Sequence, residues 1–133
     1  MDISFLTGNE RFNYRVCAVI LNDGKILAMQ DEGSSYYYPP GNFVKPKEKA
    51  EAVVVREIKE KLNITAKISR PLWLTHGFFK EEVDGLRYHE PCIYYLMDIS
   101  DTDLLSRGNR FSRQEEAAGT FLSGLNLNSC STY

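Results

Sequence analysis

The sequence of 133 residues contains little cysteine or histidine. Its three cysteines, Cys17, Cys92 and Cys130, are far apart, and no C-x-x-C pair is present. This pattern predicts neither a disulfide framework nor a zinc ribbon, and it favours a reducing compartment. Cys17 and Cys92 stand in apolar segments, where a free cysteine usually behaves as a small buried hydrophobe. His76 and His89 alone are too few for a histidine-based metal cluster.

Long apolar runs and an excess of one charge are also lacking. No run approaches the roughly 20 apolar residues that a membrane-spanning helix needs. The first ten residues, MDISFLTGNE, have no basic start followed by an apolar run, so we expect no secretory signal. The 16 basic and 18 acidic residues give a net charge of −2, which offers no reason to expect a nucleic-acid polymer as partner. We therefore expect a cytoplasmic protein without a membrane partner, folded as a single domain over residues 1–133.

Segments rich in β-branched and aromatic residues predict most of the strands. An Asn-Asp-Gly turn at residues 22–24 separates the first two segments and predicts that they pair as a hairpin. A second turn near residues 83–85 joins the two longest segments. The predicted strands are Tyr14–Leu21, Ile26–Gln30, Ala66–Phe79, Leu86–Ile99 and Gly119–Leu122.

The segment Glu48–Leu62 predicts an α-helix. Apolar residues recur there every four positions, at Ala50, Val54, Ile58 and Leu62, and such a stripe marks one buried face. Asn63 is a suitable end, because asparagine tolerates the left-handed conformation that terminates helices. One helix flanked by strands and hairpins predicts a mixed α/β domain.

Charged residues of the predicted helix suggest a cation site. Glu57, Glu60 and Lys61 stand at positions i, i+3 and i+4 and therefore share one face. Two carboxylates one turn apart, beside loop carbonyls, suit Mg²⁺, which takes one or two carboxylates and completes its shell with water and phosphate. The same spacing is compatible with a solvated charged face, and from spacing alone that interpretation is the more common one.

The order of residues from 42 to 64 adds a further observation. It resembles the Nudix box, G-x(5)-E-x(7)-R-E-U-x-E-E-x-G-U, where U is a bulky aliphatic residue. Arg56, Glu57 and Ile58 match the R-E-U of the pattern, and Glu48 and Glu60 fall on two of its other glutamates. A match of this length in a strand–loop–helix context is specific, so it favours the cation site over the solvated face.

Three departures from the pattern distinguish this chain. Asn42 and Asn63 replace glycines, but asparagine tolerates positive φ angles, so the backbone shape can be kept. Lys61 replaces the second glutamate of the E-E pair, which is usually a metal ligand in the family. A protonated lysine cannot ligate Mg²⁺, and its charge opposes the cation. Lys45 and Lys47 make the loop basic, and they are either solvated or attract substrate phosphates.

The resemblance implies an α/β fold, a Nudix-type α/β/α sandwich with a mixed sheet. Residues 123–133 have little apolar periodicity, so we expect the C-terminal helix to be short or missing and this tail to be disordered. The resemblance also implies a Mg²⁺-dependent hydrolase, with Mn²⁺ as an alternative ion. Such an enzyme cleaves the phosphoanhydride of a nucleoside diphosphate linked to another moiety. Its substrate is a small nucleotide, and a homodimer is compatible with the family.

Residue roles follow from the same resemblance. Glu57 and Glu60 are expected to hold the metal ion and to act in catalysis, together with the Asn42 carbonyl. A late glutamate usually adds a ligand or a general base, which here falls on Glu116 and Glu115 respectively.

The remaining roles are structural or alternative. Glu48 and Arg56 are expected to form an ion pair that holds the loop on the helix. Glu90 is another candidate for the general base. The alternative function is a catalytically impaired nucleotide-binding or regulatory domain, in which the charge of Lys61 substitutes for a metal ion.

Overall fold

Two sheets and one α-helix form the part of the chain that a computed structural model describes, which comprises residues 2–31, 36–107, 110–112 and 117–122. A 3₁₀ turn at Leu104–Arg107 follows the longest strands. The elements are β1 (Ser4–Thr7), β2 (Glu10–Asn13), β3 (Arg15–Val19), β4 (Leu21–Asn22), β5 (Lys25–Asp31), β6 (Gly41–Phe43), α1 (Ala50–Leu62), β7 (Lys67–Lys80), β8 (Arg87–Asp98), β9 (Arg110–Ser112) and β10 (Ala117–Leu122).

The larger sheet is mixed, as predicted, and β8 lies at its centre. On one side β8 pairs antiparallel with β7 along nearly all of its length. On the other side it runs parallel first to β2 and then to β3. Antiparallel partners complete the sheet, with β1 beside β2 and β6 beside β3. The two longest predicted strands are thus confirmed, each within one residue at both ends.

The smaller sheet corrects the predicted hairpin. Its order is β4-β5-β10-β9, so β5 pairs with β4 and β10. Only the residues next to the turn pair as expected, with Leu21 opposite Ile26 and Asn22 opposite Lys25. The preceding β3 belongs to the other sheet, because β8 and β6 already occupy both of its edges. The predicted strand Tyr14–Leu21 is therefore two strands in two sheets.

The helix ends where the sequence predicts and begins two residues later. Asn63 adopts the left-handed conformation, with φ 56° and ψ 40°, and its N–H donates to the Lys59 carbonyl. At the other end Lys47 has a positive φ of 68° and Lys49 is extended, so α1 starts at Ala50 instead of Glu48. The loop before the helix needs these non-helical residues, because it must turn from β6 into α1.

The core lies between α1 and the two sheets. The buried face of the helix belongs to one apolar cluster with Val16 and Ala18 of β3, Leu27 of β5 and Met97 of β8. Its buried apolar residues are Ala50, Val53, Val54, Ile58 and Leu62, which include all four of the predicted stripe. No helix in the described ranges is long and apolar enough to cross a membrane.

The opposite face of the larger sheet carries a smaller apolar cluster. Cys17 and Cys92 are buried there as free thiols beside Val19 and Tyr94, which confirms the predicted burial of both cysteines. Cys130, the tail 123–133 and the expected C-terminal helix lie outside the described residues.

Candidate functional site

The loop that leads into the helix is held against β3 at Gly41. This residue is buried and pairs with Cys17, and a Cβ added to it would lie 2.1 Å from the carbonyl oxygen of Val16. Because that neighbour is backbone, a side chain at position 41 would force the strands apart. The close approach therefore requires glycine, and it fixes the position of the Gly41 carbonyl at the end of α1.

Arg56 connects the loop with the first carboxylates of the helix. Its Nη1 donates to Glu48 Oε2, so the predicted ion pair between these residues is present. Its Nη2 lies 3.5 Å from Glu57 Oε1, and its Nε lies 3.7 Å from Glu60 Oε1. The hydrogen bond to Glu48 is the main cause that raises the pKa of Arg56, which keeps the guanidinium charged among three carboxylates.

Glu57 is buried, with 4% of its surface exposed. Its Oε1 accepts a hydrogen bond of 3.3 Å from the Asn42 side-chain amide and also faces Arg56. Its Oε2 lies 3.8 Å from Lys61 Nζ. A buried carboxylate needs such partners, because burial without them disfavours the charged form.

Lys61 is the residue whose placement the sequence did not predict. Its ammonium turns inward and donates a hydrogen bond to the Gly41 carbonyl, and only 28% of its side chain is exposed. Burial lowers the pKa of Lys61, and the nearby Glu57 carboxylate opposes this shift. The lysine that replaces a family glutamate thus joins the loop to the end of the helix.

These contacts decide whether the predicted metal ligands fit a divalent cation. Both oxygens of Glu57 face donors, and the Gly41 carbonyl accepts from Lys61. The Asn42 side chain turns its amide nitrogen to Glu57, while its oxygen accepts a 2.8 Å bond from the Phe43 N–H. Nowhere in the described ranges do three or more His, Cys, Asp or Glu side chains gather as a metal site. The residues do not fit a divalent ion while Lys61 stays in this position.

Three of the other predicted site residues, Glu60, Lys45 and Lys47, lie within the described part of the chain. Glu60 is 60% exposed at the helix surface beside Arg56. Lys45 and Lys47 lie in the loop between β6 and α1, the former partly buried and the latter exposed. Glu115 and Glu116 lie outside the described residues. Their predicted roles therefore remain predictions.

A second buried carboxylate, Glu90, is held by residues that the sequence analysis did not single out. Its two oxygens accept hydrogen bonds of 3.1 Å from Arg15 Nη1 and 3.0 Å from Asn13 Nδ2. Arg15 also lies over the Phe43 ring, 5.5 Å from its centroid. The signal in the sequence was present, since Asn13 and Arg15 alternate with the apolar Phe12, Tyr14 and Val16 at the start of an apolar strand. Both oxygens of Glu90 are thus engaged by side chains of the protein, and its role as a general base stays a prediction.

A cavity of about 310 Å³ opens beside Glu90 on the β7–β8 surface. Gly77 stands opposite Glu90 in the strand pairing and leaves room there. The lining residues are Thr75, Gly77, Phe79, Lys80, Glu81, Glu90 and Cys92.

A family model described as NUDIX domain matches residues 11–120, which is most of the chain. The chain belongs to the NUDIX domain family. A search of curated proteins gave no match to the sequence.

Solved structures with the same Nudix fold support this assignment. A UDP-X diphosphatase superposes with a TM-score of 0.61 at 20% identity, covering 90% of this chain and 52% of that chain. A MutT NUDIX hydrolase from Burkholderia pseudomallei superposes with a TM-score of 0.58 at 18% identity, covering 92% of this chain and 88% of that chain. An ADP-ribose pyrophosphatase from Streptococcus suis superposes with a TM-score of 0.54 at 19% identity, covering 84% of this chain and 73% of that chain. This Nudix chain therefore spans about half the length of the diphosphatase.

The predicted Nudix fold and the predicted membership of the Nudix family are confirmed by these findings. At identities below one quarter, the solved structures show the fold alone. They identify neither the substrate of this Nudix protein nor its metal ion.

Proposed function

We propose that this Nudix protein hydrolyses the phosphoanhydride bond of a nucleoside diphosphate linked to another moiety. The observation that carries the proposal is the Arg56 cluster, in which one guanidinium joins Glu48 of the loop to Glu57 and Glu60 of the helix. This cluster holds the loop in place on the helix and concentrates carboxylates with cations at one surface. The UDP-X diphosphatase and the ADP-ribose pyrophosphatase are named for substrates of this class, which supports the proposal.

The charges of the site suit a diphosphate. Arg56 and Lys61 are each about 30% exposed and can offset the negative charge of phosphate oxygens. Glu60 is the most exposed carboxylate of the cluster, and we assign to it the proton of an attacking water molecule. Water then attacks one phosphorus atom, the bridging P–O bond breaks, and the other phosphate leaves with the bridging oxygen. Glu57 is the carboxylate that orients Lys61 and Arg56.

The predicted Mg²⁺ requirement belongs to this proposal as a question for experiment. When bound in such a site, a divalent ion neutralises charge on the diphosphate and lowers the pKa of a bound water. With Lys61 in this position, the Gly41 carbonyl and the Glu57 carboxylate are already engaged and are not vacant for the ion.

A substrate panel tests the proposed hydrolysis. Release of monophosphate or phosphate would be measured from ADP-ribose, a nucleotide sugar, a dinucleoside polyphosphate and a nucleoside triphosphate, with and without Mg²⁺. We expect turnover of at least one compound, and Glu60→Gln should lower kcat by roughly 10²-fold or more. Glu82→Gln is the matched control, since Glu82 is exposed in the distant β7–β8 turn. Absence of release from every compound would contradict the hydrolase.

A second candidate function is nucleotide binding without turnover. The inward position of Lys61 favours it, because the ammonium engages the carbonyl and the carboxylate that a metal ion would otherwise use. Under this alternative, nucleotides raise the melting temperature of the protein while the panel detects no product. A thermal shift with a compound from which no product is released would therefore identify the second function.

A further inference from the structure

We propose that Lys61 is the resident cation of this site, bound between the Gly41 carbonyl and the Glu57 carboxylate, and that it binds a diphosphate oxygen directly without a metal ion. The identity of the anion rests on the proposed function, whereas the position of the ammonium does not. The consequence is a Nudix site in which the wild-type chain binds its nucleotide without a metal ion and holds divalent ions poorly.

The Lys61 side chain follows an unusual course for its position in the helix. A lysine in the last turn of a surface helix normally extends its ammonium into water, where the ion is well hydrated. Lys61 instead lies mostly buried and donates to a carbonyl that is 20 residues earlier in the chain. That carbonyl cannot move away, because Gly41 is packed against the Val16 backbone. The contact is therefore built into the junction of loop and helix.

The charges around the site nearly balance. The three carboxylates of Glu48, Glu57 and Glu60 face the two cations of Arg56 and Lys61, which leaves one net negative charge. A divalent ion entering this surface would meet little net negative charge and would be repelled by a cation already present. An anion would meet two cations that remain partly open to solvent.

The Lys61 ammonium has hydrogen-bonding capacity left for a ligand. A protonated lysine has three N–H donors, and the Gly41 carbonyl accepts from one of them. The contact with Glu57 is longer, at 3.8 Å, and is an ion pair without hydrogen-bond geometry. Lys61 can therefore donate to a ligand oxygen while it keeps the loop and the helix together. Lysine is a common phosphate ligand of this point-charge type.

The metal half of the proposal is tested with Mn²⁺ and no nucleotide. Free Mn²⁺ would be followed by electron paramagnetic resonance during titration of the wild type, Lys61→Glu and Lys59→Glu. We expect Lys61→Glu to bind Mn²⁺ at least tenfold more tightly than the wild type. Lys59→Glu makes the same charge change at an exposed position of the same helix and should stay within threefold of the wild type. Equal Mn²⁺ affinity in the wild type and Lys61→Glu would overturn the proposal.

The anion half is tested with ADP as the probe, in EDTA, by calorimetry. We expect the wild type to bind ADP without a metal ion, and Lys61→Met, which keeps the apolar stem, to bind it at least tenfold more weakly. Lys61→Glu should lose ADP binding in EDTA and regain it in Mn²⁺. Unchanged ADP affinity of Lys61→Met in EDTA would overturn the proposal. Circular dichroism of each variant would establish that it is folded.

The Mn²⁺ titration and the ADP calorimetry together distinguish failure of the Lys61 proposal from failure of the proposed function. If no protein binds ADP with or without Mn²⁺, the assigned ligand class is contradicted and the anion half falls with it. The Mn²⁺ titration then still decides whether Lys61 occupies the place of a cation, because it involves no nucleotide. Tighter Mn²⁺ binding by Lys61→Glu, but not by Lys59→Glu, would support the position of Lys61 at a cation site.

Discussion

Glu57 and Glu90 are two buried carboxylates with similar partners and different surroundings. Each faces an arginine and an asparagine amide. The contacts of Glu90 are short, at 3.0 and 3.1 Å, and its two oxygens each have one donor. Those of Glu57 are 3.3 Å to the amide, 3.5 Å to the arginine and 3.8 Å to Lys61.

The difference distinguishes a structural pair from a functional cluster. Arg15 is only 12% exposed and has Glu90 as its carboxylate, so this pair joins β3 to β8 inside the protein. The cations around Glu57 have other partners as well, since Arg56 also bonds Glu48 and Lys61 also bonds Gly41. Because Arg56 and Lys61 are partly open to solvent and have these other partners, they can exchange Glu57 for a ligand. Arg15 cannot leave Glu90 in this way without a buried charge remaining unpaired.

The largest loss of stability is expected for Glu90→Gln. The substitution leaves Arg15 buried without a countercharge, and loss of one partner of a buried pair costs about 3 kcal/mol or more in the free energy of unfolding. Urea denaturation monitored by circular dichroism would measure this loss.

The double variant Arg15→Met with Glu90→Leu provides the control for that prediction. Removing both charges leaves no unpaired ion, so the double variant should be more stable than Glu90→Gln. If it is less stable, the Arg15–Glu90 pair does not have the structural role described here.

A smaller effect is expected for Glu57→Gln, the matching substitution in the cluster. Arg56 and Lys61 keep their other partners and are each about 30% exposed, so water screens the lost charge. We expect a loss of about 1 kcal/mol in unfolding free energy by the same urea measurement. A cost equal to that of Glu90→Gln would show that the two carboxylates are equally structural.

The smallest effect concerns Tyr95, whose hydroxyl donates at 2.8 Å to a third carboxylate, Glu51. Burial, and then this hydrogen bond, raise the pKa of Tyr95. Because the folded pKa lies above the unfolded value of about 10, the stabilisation is present below that value and is lost as pH rises above it.

The corresponding variant is Tyr95→Phe. Melting temperatures at about pH 8 and about pH 11 bracket the unfolded tyrosine pKa of about 10. The wild type should lose more stability across this interval than the variant, which lacks this ionisation. The variant should still lose some, because burial also raises the pKa of Tyr38 and Tyr94. Equal losses in the two proteins would contradict a role for Tyr95.

Local patterns predicted the long elements well. The apolar face of α1 and its end at Asn63 follow from residues close together in the sequence. The same holds for β7 and β8, whose limits depend on local composition and on the turn between them. The partner of β5 was predicted only at the turn, because pairing depends on which sheet edge is available and not on the turn alone. The strands β1, β2 and β9 were not predicted, since each has three or four residues and too little pattern.

The register of the Nudix box could be read from the sequence, and the resemblance to that box implied the ion pair of Glu48 with Arg56, which is present. The inward turn of Lys61 to Gly41 and the enclosure of Glu90 by Arg15 and Asn13 depend on how the chain folds in three dimensions. Those partners are separated by 20, 75 and 77 residues along the chain. Their contacts exist because α1 packs beside β6 and because β2 and β3 both pair with β8, and no local spacing contains that information.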